Sequence, residues 1–230
     1  MVLGALLITG FLALGVWQVR RLAWKTALIA QVEARIHAPA APAPGPAQWP
    51  AVTRERDQYR HVVVQGVFQH DLETMTQAVT AAGPGFWVMT PLRTDAGFIV
   101  LVNRGFVPSR LRAGGSRPLG LARGEQRVTG LLRITEPHGG FLRANDPERD
   151  AWRSRDVHAI AARRGLREAA PYFVDADATP NPGGWPMGGM TVVRFPNSHL
   201  VYAITWFALA LGVAVALGVA QRAQRRGDAP

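Results

Sequence analysis

The sequence predicts a membrane protein of the α+β class, in which two transmembrane helices flank a mostly antiparallel β domain with one short helix. Three observations predict it. Residues 2–19 and 200–220 form two long apolar runs. A helix needs roughly 20 apolar residues to cross the hydrocarbon layer of a bilayer. Between the runs, β-branched segments are separated by turn residues, which is the pattern of short strands joined by hairpins.

Residues 1–20 are predicted to be the first transmembrane helix. A cleaved signal peptide is the alternative, but no basic residue precedes the apolar run, and the run ends in Trp17-Gln-Val-Arg-Arg21 without a small-residue cleavage site. Helical spacing of apolar residues extends the helix to His37. Four prolines within 38–46 then end it. Residues 21–58 are therefore a helical extension followed by a stiff, proline-rich spacer.

Residues 59–196 are predicted to form an extracytoplasmic β domain. Six segments have strand character: 60–68, 86–92, 98–102, 127–134, 172–176 and 190–195. The second and third are expected to pair as a hairpin across Arg93-Thr-Asp-Ala-Gly97. Residues 156–164 predict a short helix, with Asp156 as its N-cap and Gly165 just past its end.

Residues 197–221 are predicted to be the second transmembrane helix and residues 222–230 a basic cytoplasmic tail. Arginines in this tail place the C-terminus inside under the positive-inside rule, whereas Arg20, Arg21 and Lys25 argue for the opposite orientation. We give the tail more weight, so both termini are expected in the cytoplasm and the central domain outside it. Small residues are expected to let the two helices pack closely: Gly4, Ala5, Gly10, Gly15, Ala208, Gly212 and Ala216.

Composition argues against several classes of function. The chain has no cysteine, so disulfides, thiolate metal sites and a cysteine nucleophile are absent. Its net charge is +10. The sequence nevertheless lacks a dense block of basic residues interleaved with aromatic residues, so it does not predict nucleic-acid binding. Paired histidines of metalloenzymes, the GxSxG motif and the glycine-rich phosphate loops are also missing. The sequence therefore predicts a protein that is not an enzyme.

Four blocks of residues stand out, and each has an ordinary structural interpretation. Residues 15–25, with Trp17, Gln18 and Arg21, are typical of an interfacial anchor. Residues 85–108 predict a hairpin followed by a turn at Asn103 and Gly105, and Arg104 there is expected to form an intramolecular ion pair or to bind a carboxylate.

Residues 145–152 predict a turn beside a packed Trp152. The fourth block, residues 186–207, leads into the second span. In it His199, Tyr202 and Trp206 recur at i, i+3 and i+7, so they are expected on one helix face. His199 is either part of an amphipathic anchor or a ligand, since neutral imidazole binds heme iron. The residues alone leave both roles open.

The order of these blocks resembles the surfeit-locus cytochrome oxidase assembly family. The resemblance runs from Gly15-x-Trp-Gln-x-x-Arg21, through Asn103-Arg-Gly105 and Asn145-Asp-Pro147, to the Asn-x-His-Leu-x-Tyr-Ala-x-Thr-Trp-Phe block at 197–207. Two departures are small. Ser198 stands where the family often has asparagine, which puts any contact made by that asparagine in doubt, and Phe106 replaces a common tryptophan.

The resemblance implies an assembly factor for heme-copper oxidases that binds heme a and assists its insertion into the catalytic subunit. It implies a bacterial inner-membrane protein with its central domain in the periplasm. Its implied partners are the oxidase catalytic subunit, the membrane and, as a further candidate, heme a synthase. The alternatives are a scaffold that stabilises the nascent oxidase subunit without heme and, more distantly, a periplasmic sensor.

The resemblance also implies a set of cofactor-binding residues. His199 is the expected ligand of the heme iron. The expected heme contacts are Trp17, Gln18, Arg20, Arg21, Arg104, Tyr202 and Trp206, with the arginines facing propionates and the aromatic rings packing on the porphyrin.

Overall fold

Four α-helices and seven strands make up the regular structure of the described residues, which in this computed structural model are 2–140, 143–193 and 195–227, the last three by backbone alone. The helices are α1 (Val2–His37), α2 (Arg54–Asp57), α3 (Val157–Arg164) and α4 (His199–Gly227). The strands are β1 (Ala41–Pro42), β2 (His61–Phe68), β3 (Thr74–Thr80), β4 (Gly83–Thr94), β5 (Ile99–Pro108), β6 (Glu125–Ile134) and β7 (Ala169–Ala176). Short 3₁₀ turns lie in the connections.

The chain divides into two units. The helical unit contains Met1–Gln31 and Val193–Pro230, and the barrel unit contains Val32–Val192. Both long helices are long and apolar enough to cross a membrane. The predicted α+β class, with two long apolar helices flanking a β domain, is confirmed. Of the predicted basic tail, residues 228–230 lie outside the described residues.

The barrel unit is a mixed sheet that closes on itself. The strand order is β1-β2-β6-β7-β5-β4-β3, and β2 also pairs with β4. The closed ring is therefore β2-β6-β7-β5-β4, with β1 and β3 outside it. Pairing is antiparallel except for β1 with β2 and β5 with β7. Strand β4 pairs with β3 along its first half and with β2 at its end.

Apolar side chains fill both faces of the sheet wall. One cluster includes Val62, Leu92, Val100, Leu132 and Val174, all less than 1% exposed. A second cluster lies between the sheet and α3, where Trp152 and Ile160 pack on Phe173. Burying one such side chain stabilises the fold by roughly 1.5–3 kcal/mol.

Local signals predicted several elements correctly. The hairpin between β4 and β5 turns at Gly97, which has φ +88°, and Thr94 N–H donates to the Phe98 carbonyl. Helix α3 has the predicted caps. Asp156 accepts a hydrogen bond from the Ala159 N–H at 3.1 Å, and Gly165 is left-handed at φ 64°. Each of these signals depends only on neighbouring residues.

Two other expectations were wrong. Residues 190–193 and 195 form no strand, and residue 194 lies outside the described residues; the Thr191 hydroxyl instead donates to Asp175. Asn103 and Gly105 lie inside β5, not in a turn. The Asn103 side chain donates a hydrogen bond to Asp175 at 2.7 Å. Gly105 has a φ of +128°, and the Met187 carbonyl lies so close to it that a side chain would not fit.

The proline-rich spacer is also packed against the sheet. Ala43 N–H donates to the Val63 carbonyl, so the segment extends the sheet beside β2. The Tyr172 hydroxyl donates to the Pro44 carbonyl at 2.6 Å, and the Trp49 indole donates to the same oxygen at 3.0 Å. One buried and one half-buried donor therefore hold a segment that has few backbone N–H groups of its own.

Candidate functional site: a histidine between two apolar helices

Helices α1 and α4 pack against each other in antiparallel orientation. Phe11 stacks on Trp206 with ring centroids 5.7 Å apart. Because Gly4 and Gly15 have no side chain, side chains of α4 pack directly against their backbone. A Cβ on Gly4 would lie 2.5 Å from Leu217, and one on Gly15 would lie 2.6 Å from Phe207. Small residues thus allow close approach of the helices, as membrane helix pairs require.

The buried positions follow a spacing of alternating four and three residues. On α1 the covered positions are Gly4, Ile8, Phe11, Gly15 and Gln18, and on α4 they are His199, Ala203, Trp206, Ala210, Val213 and Leu217. This repeat of 3.5 residues is that of a coiled-coil seam. The small residues spaced by four, Ala208, Gly212 and Ala216, are exposed because that spacing drifts around the helix. A Cβ on Gly10 would meet no atom within 4 Å, so nothing packs against this glycine. Of the predicted small face, only Gly4 and Gly15 lie in the seam.

His199 and Gln18 meet at one end of this seam. His199 is the first residue of α4 and is partly buried. Its Nδ1 lies 2.7 Å from the side-chain oxygen Oε1 of Gln18. Gln18 is only 8% exposed. Within the described part of the chain, Nε2 of His199 takes part in no hydrogen bond. One ring nitrogen is therefore engaged inside the helix pair, and the other has no hydrogen-bond partner among the described residues.

The predicted aromatic residues divide between the seam and its flank. Trp206 lies in the seam, where it stacks on Phe11. Trp17 is 56% exposed and Tyr202 is 54% exposed, so both face away from the helix contact. Half-exposed aromatic rings at the end of an apolar helix are typical of a membrane interface.

Basic side chains surround the same end of α1. Arg20 and Arg21 are exposed, and the guanidinium of Arg21 lies 4.0 Å from the ring centre of Trp24. The Lys25 ammonium lies 5.6 Å from the ring centre of Phe195. The helical unit thus brings together all the predicted cofactor-binding residues except Arg104.

Arg104 belongs to the barrel unit, where it is 2% exposed. Its guanidinium donates to the Gly120 carbonyl at 2.6 Å and to the Asn181 side chain at 2.9 Å, and it lies 3.5 Å from the carboxylate of Glu73. Of the two expectations for Arg104, the intramolecular ion pair is confirmed. A guanidinium this enclosed is poorly placed to bind a propionate, so that role stays a prediction which its burial disfavours.

Glu73 is the centre of a buried charge cluster that sequence reasoning missed. Its carboxylate lies 2.5 Å from Arg117 and 3.5 Å from Arg104, and 3.2 Å from the ring of His70. Burial alone would raise the pKa of Glu73, but hydrogen bonds from His70 and Arg117 and the charges of both arginines lower it to about 2. Burial lowers the pKa of Arg104 to about 10, against the pull of Glu73. The cluster holds two guanidinium groups on one carboxylate.

A second cluster centres on the buried Asp175, and its two arginines, Arg133 and Arg155, line a cavity beside Trp87. Arg133 donates to Asp175 at 2.6 Å and Arg155 at 3.1 Å, and both arginines also contact Glu136. Burial would lower the pKa of Arg155, but the charges of Asp175 and Glu136 raise it. Two cations face two anions in this cluster, so its formal charges balance.

No group of three His, Asp or Glu side chains is arranged to hold a metal ion among the residues that the structure describes. A single histidine can, however, bind a metal that is already held in a larger group. The fold and the site define an α+β protein with two candidate membrane-spanning helices and one candidate ligand histidine between them.

Comparison with known proteins shows its family. Residues 5–211 match the model of the SURF1 family. Surfeit locus protein 1 of Homo sapiens is 36% identical over 219 residues, which cover 88% of this chain and 70% of the human protein. The SURF1-like proteins of Monosiga brevicollis and Drosophila melanogaster are 36% and 32% identical, over 85% of this chain and 77% and 69% of theirs. The chain belongs to the SURF1 family, a family of cytochrome c oxidase assembly factors.

Proposed function

We propose that this protein binds heme a through His199 and assists its insertion into the catalytic subunit of a heme-copper oxidase, without catalysing a reaction itself. The observation that carries the proposal is the setting of His199. Its ring is held at Nδ1 by Gln18 and keeps Nε2 available at the end of an apolar helix pair. Imidazole in this setting is a strong ligand for heme iron.

The surrounding residues suit an amphipathic porphyrin. Trp17 and Tyr202 offer half-exposed aromatic faces near His199 on the same helix pair. Exposed Arg20 and Arg21 offer charge-assisted hydrogen bonds to propionates. The apolar helix surfaces offer a lipid-like environment for the long isoprenoid tail of heme a. Heme a would bring its iron and its porphyrin ring, and these side chains would hold and orient the cofactor.

The proposed location is the bacterial inner membrane, with both termini in the cytoplasm and the barrel unit in the periplasm. Support comes from the two apolar helices and from the arginines that follow the second one. A reporter enzyme that is active only outside the cytoplasm tests this topology. Fused after residue 230 it should be inactive, and activity there would contradict the proposed orientation.

The proposed partners are the oxidase catalytic subunit and heme a synthase, since a carrier must receive heme and release it. Both are membrane proteins, so the exposed side chains of α1 and α4 are the surfaces expected to meet them. Co-purification of either partner with the full chain in mild detergent would support this. Co-purification with the wild type is compared with that of Leu217→Ala, a variant that weakens the helix pair at the end far from His199.

Heme binding is tested by co-expression with the enzymes that make heme a, followed by purification and visible absorption spectroscopy. The expected result is a Soret band that His199→Ala abolishes. The control is His158→Ala, which removes an exposed histidine from α3 of the barrel unit and should leave the band unchanged. Heme occupancy unchanged by His199→Ala would show that this histidine is not an essential ligand.

A heme-free scaffold is the alternative outcome of the same experiment. It predicts that the purified wild type carries no heme, while deletion still depletes the catalytic subunit. A sensor function predicts instead that deletion leaves the heme content of the oxidase normal. Measuring both the purified protein and oxidase heme in a deletion strain separates the three functions.

A further inference from the structure

We infer that Gln18 is a positioning residue that fixes His199 in its Nδ1–H tautomer and thereby makes Nε2 the nitrogen that binds iron. The part concerning iron rests on the proposed function. The part concerning the tautomer does not, because it is a property of the heme-free protein. This role differs from direct contact with the cofactor, which is what the family resemblance implies for Gln18.

The geometry supplies the first step. Oε1 of Gln18 lies 2.7 Å from Nδ1 of His199, within normal hydrogen-bonding distance. An amide oxygen only accepts hydrogen bonds. A neutral imidazole has one N–H, and to donate to this oxygen the proton must be on Nδ1. The lone pair is then on Nε2, which is the nitrogen that no described residue engages.

The position of Gln18 supplies the second step. It is 8% exposed and lies in the seam, where Phe11, Gly15 and Ala203 are among the neighbouring seam positions. An amide buried among apolar residues is costly unless it is hydrogen-bonded. The His199 ring meets that requirement for Oε1, so the two side chains stabilise each other's orientation.

The separation of the two residues supplies the third step. They are 181 residues apart and lie on different helices, so the hydrogen bond forms only when α1 and α4 are paired. Orientation of the ligand is therefore coupled to helix pairing. A partner that separates the helices would free the ring and weaken its hold on a metal, which gives a carrier a means of release.

A hydrogen-bond partner on the nitrogen that does not bind the metal orients a ligand histidine and raises the basicity of its ring.

Two substitutions separate this role from simple packing. Gln18→Leu keeps nearly the same volume but removes the acceptor. Gln18→Glu keeps an acceptor and adds a negative charge. Leu217→Ala is the matched control, since it loosens the seam beside Gly4 without touching the histidine.

The first experiment uses the full chain in detergent micelles without heme, with ¹⁵N-labelled histidine. The signals of His199 are assigned by their loss in His199→Ala. The Nδ1–H tautomer is expected in the wild type, in Gln18→Glu and in Leu217→Ala, and a shift toward Nε2–H in Gln18→Leu. An Nε2–H wild type, or the same tautomer in Gln18→Leu as in the wild type, would overturn the inference.

The second experiment repeats the series with bound heme. Gln18→Leu should weaken heme binding roughly 10- to 100-fold and raise the reduction potential of the iron. Gln18→Glu should keep heme bound and lower that potential, because a carboxylate makes the imidazole a stronger electron donor. Equal potentials in all three proteins would contradict a positioning role. Absence of heme from the wild type would refute the proposed function, while the tautomer measurement would still decide the inference about Gln18.

Discussion

Replacing Glu73 with glutamine should destabilise the barrel unit strongly. The side chain keeps its size but loses its charge, and Arg104 and Arg117 then remain buried on a neutral amide. A pKa of about 2 in place of 4.5 for Glu73 corresponds to about 3 kcal/mol of folding free energy at neutral pH, at ~1.4 kcal/mol for each pH unit. Removing one partner of a buried ion pair typically costs ~3–5 kcal/mol, so both routes give the same order.

The assay is pulse proteolysis of the full chain in mild detergent over a series of urea concentrations, which gives the free energy of unfolding of the barrel unit. Glu73→Gln should lower it by about 3 kcal/mol. The matched control is Glu55→Gln, because Glu55 is exposed on α2 and its loss should change stability by less than ~0.5 kcal/mol. A loss below about 1 kcal/mol for Glu73→Gln would refute the argument that the two guanidinium groups depend on this carboxylate.

Three further predictions follow from the same unit. The low pKa of Glu73 means that its contribution is complete above pH about 4.5 and is lost as pH falls toward about 2, so acid titration should destabilise the wild type more steeply than Glu73→Gln. Gly105→Ala should cost more stability in urea unfolding than Gly97→Ala, because both glycines have positive φ but only Gly105 faces a carbonyl that a Cβ would overlap; equal losses would count against this. Tyr172→Phe removes the hydrogen bond to Pro44 and should cost about 1 kcal/mol, with faster elastase cleavage in residues 38–46 as the readout and an unchanged cleavage rate as the contrary result.

Local chemistry explains what could be predicted from the sequence. The helix α3 was predictable because Asp156 and Gly165 are capping residues whose effect depends on a few neighbours. The hairpin before Phe98 was predictable for the same reason, since Gly97 permits the turn. Apolar length predicted both long helices, because the signal in each is nearly continuous.

Strand β3 was missed because its buried face is polar. Thr74 and Thr76 are fully buried and alternate with exposed or half-buried residues, but threonine does not register as apolar in a hydrophobic pattern. The prediction of a turn at Asn103 and Gly105 was wrong for the opposite reason. Those residue types do favour turns. Here Asn103 forms a buried hydrogen bond and Gly105 permits the close approach of Met187, and both interactions depend on distant segments.

The candidate site was predicted in its parts but not in its arrangement. His199 and Gln18 were each singled out from their position at the end of an apolar run. The hydrogen bond between them could not be predicted, because it depends on the rotation of two helices that are distant in the sequence. Tyr202 and Trp206 illustrate the same limit. Spacing placed them on one face with His199, whereas the seam covers Trp206 in part and leaves Tyr202 exposed.

The order of strands in the barrel also determines when this unit can fold. Strand β7 lies between β5 and β6, and it is the last strand to be synthesised. Until residue 176 is available, both neighbours have open edges, which invite pairing with other chains. Only residues 177–198 then separate β7 from α4. The second apolar helix therefore follows the strand that closes the barrel closely in the chain, and a chain truncated before β7 is expected to aggregate.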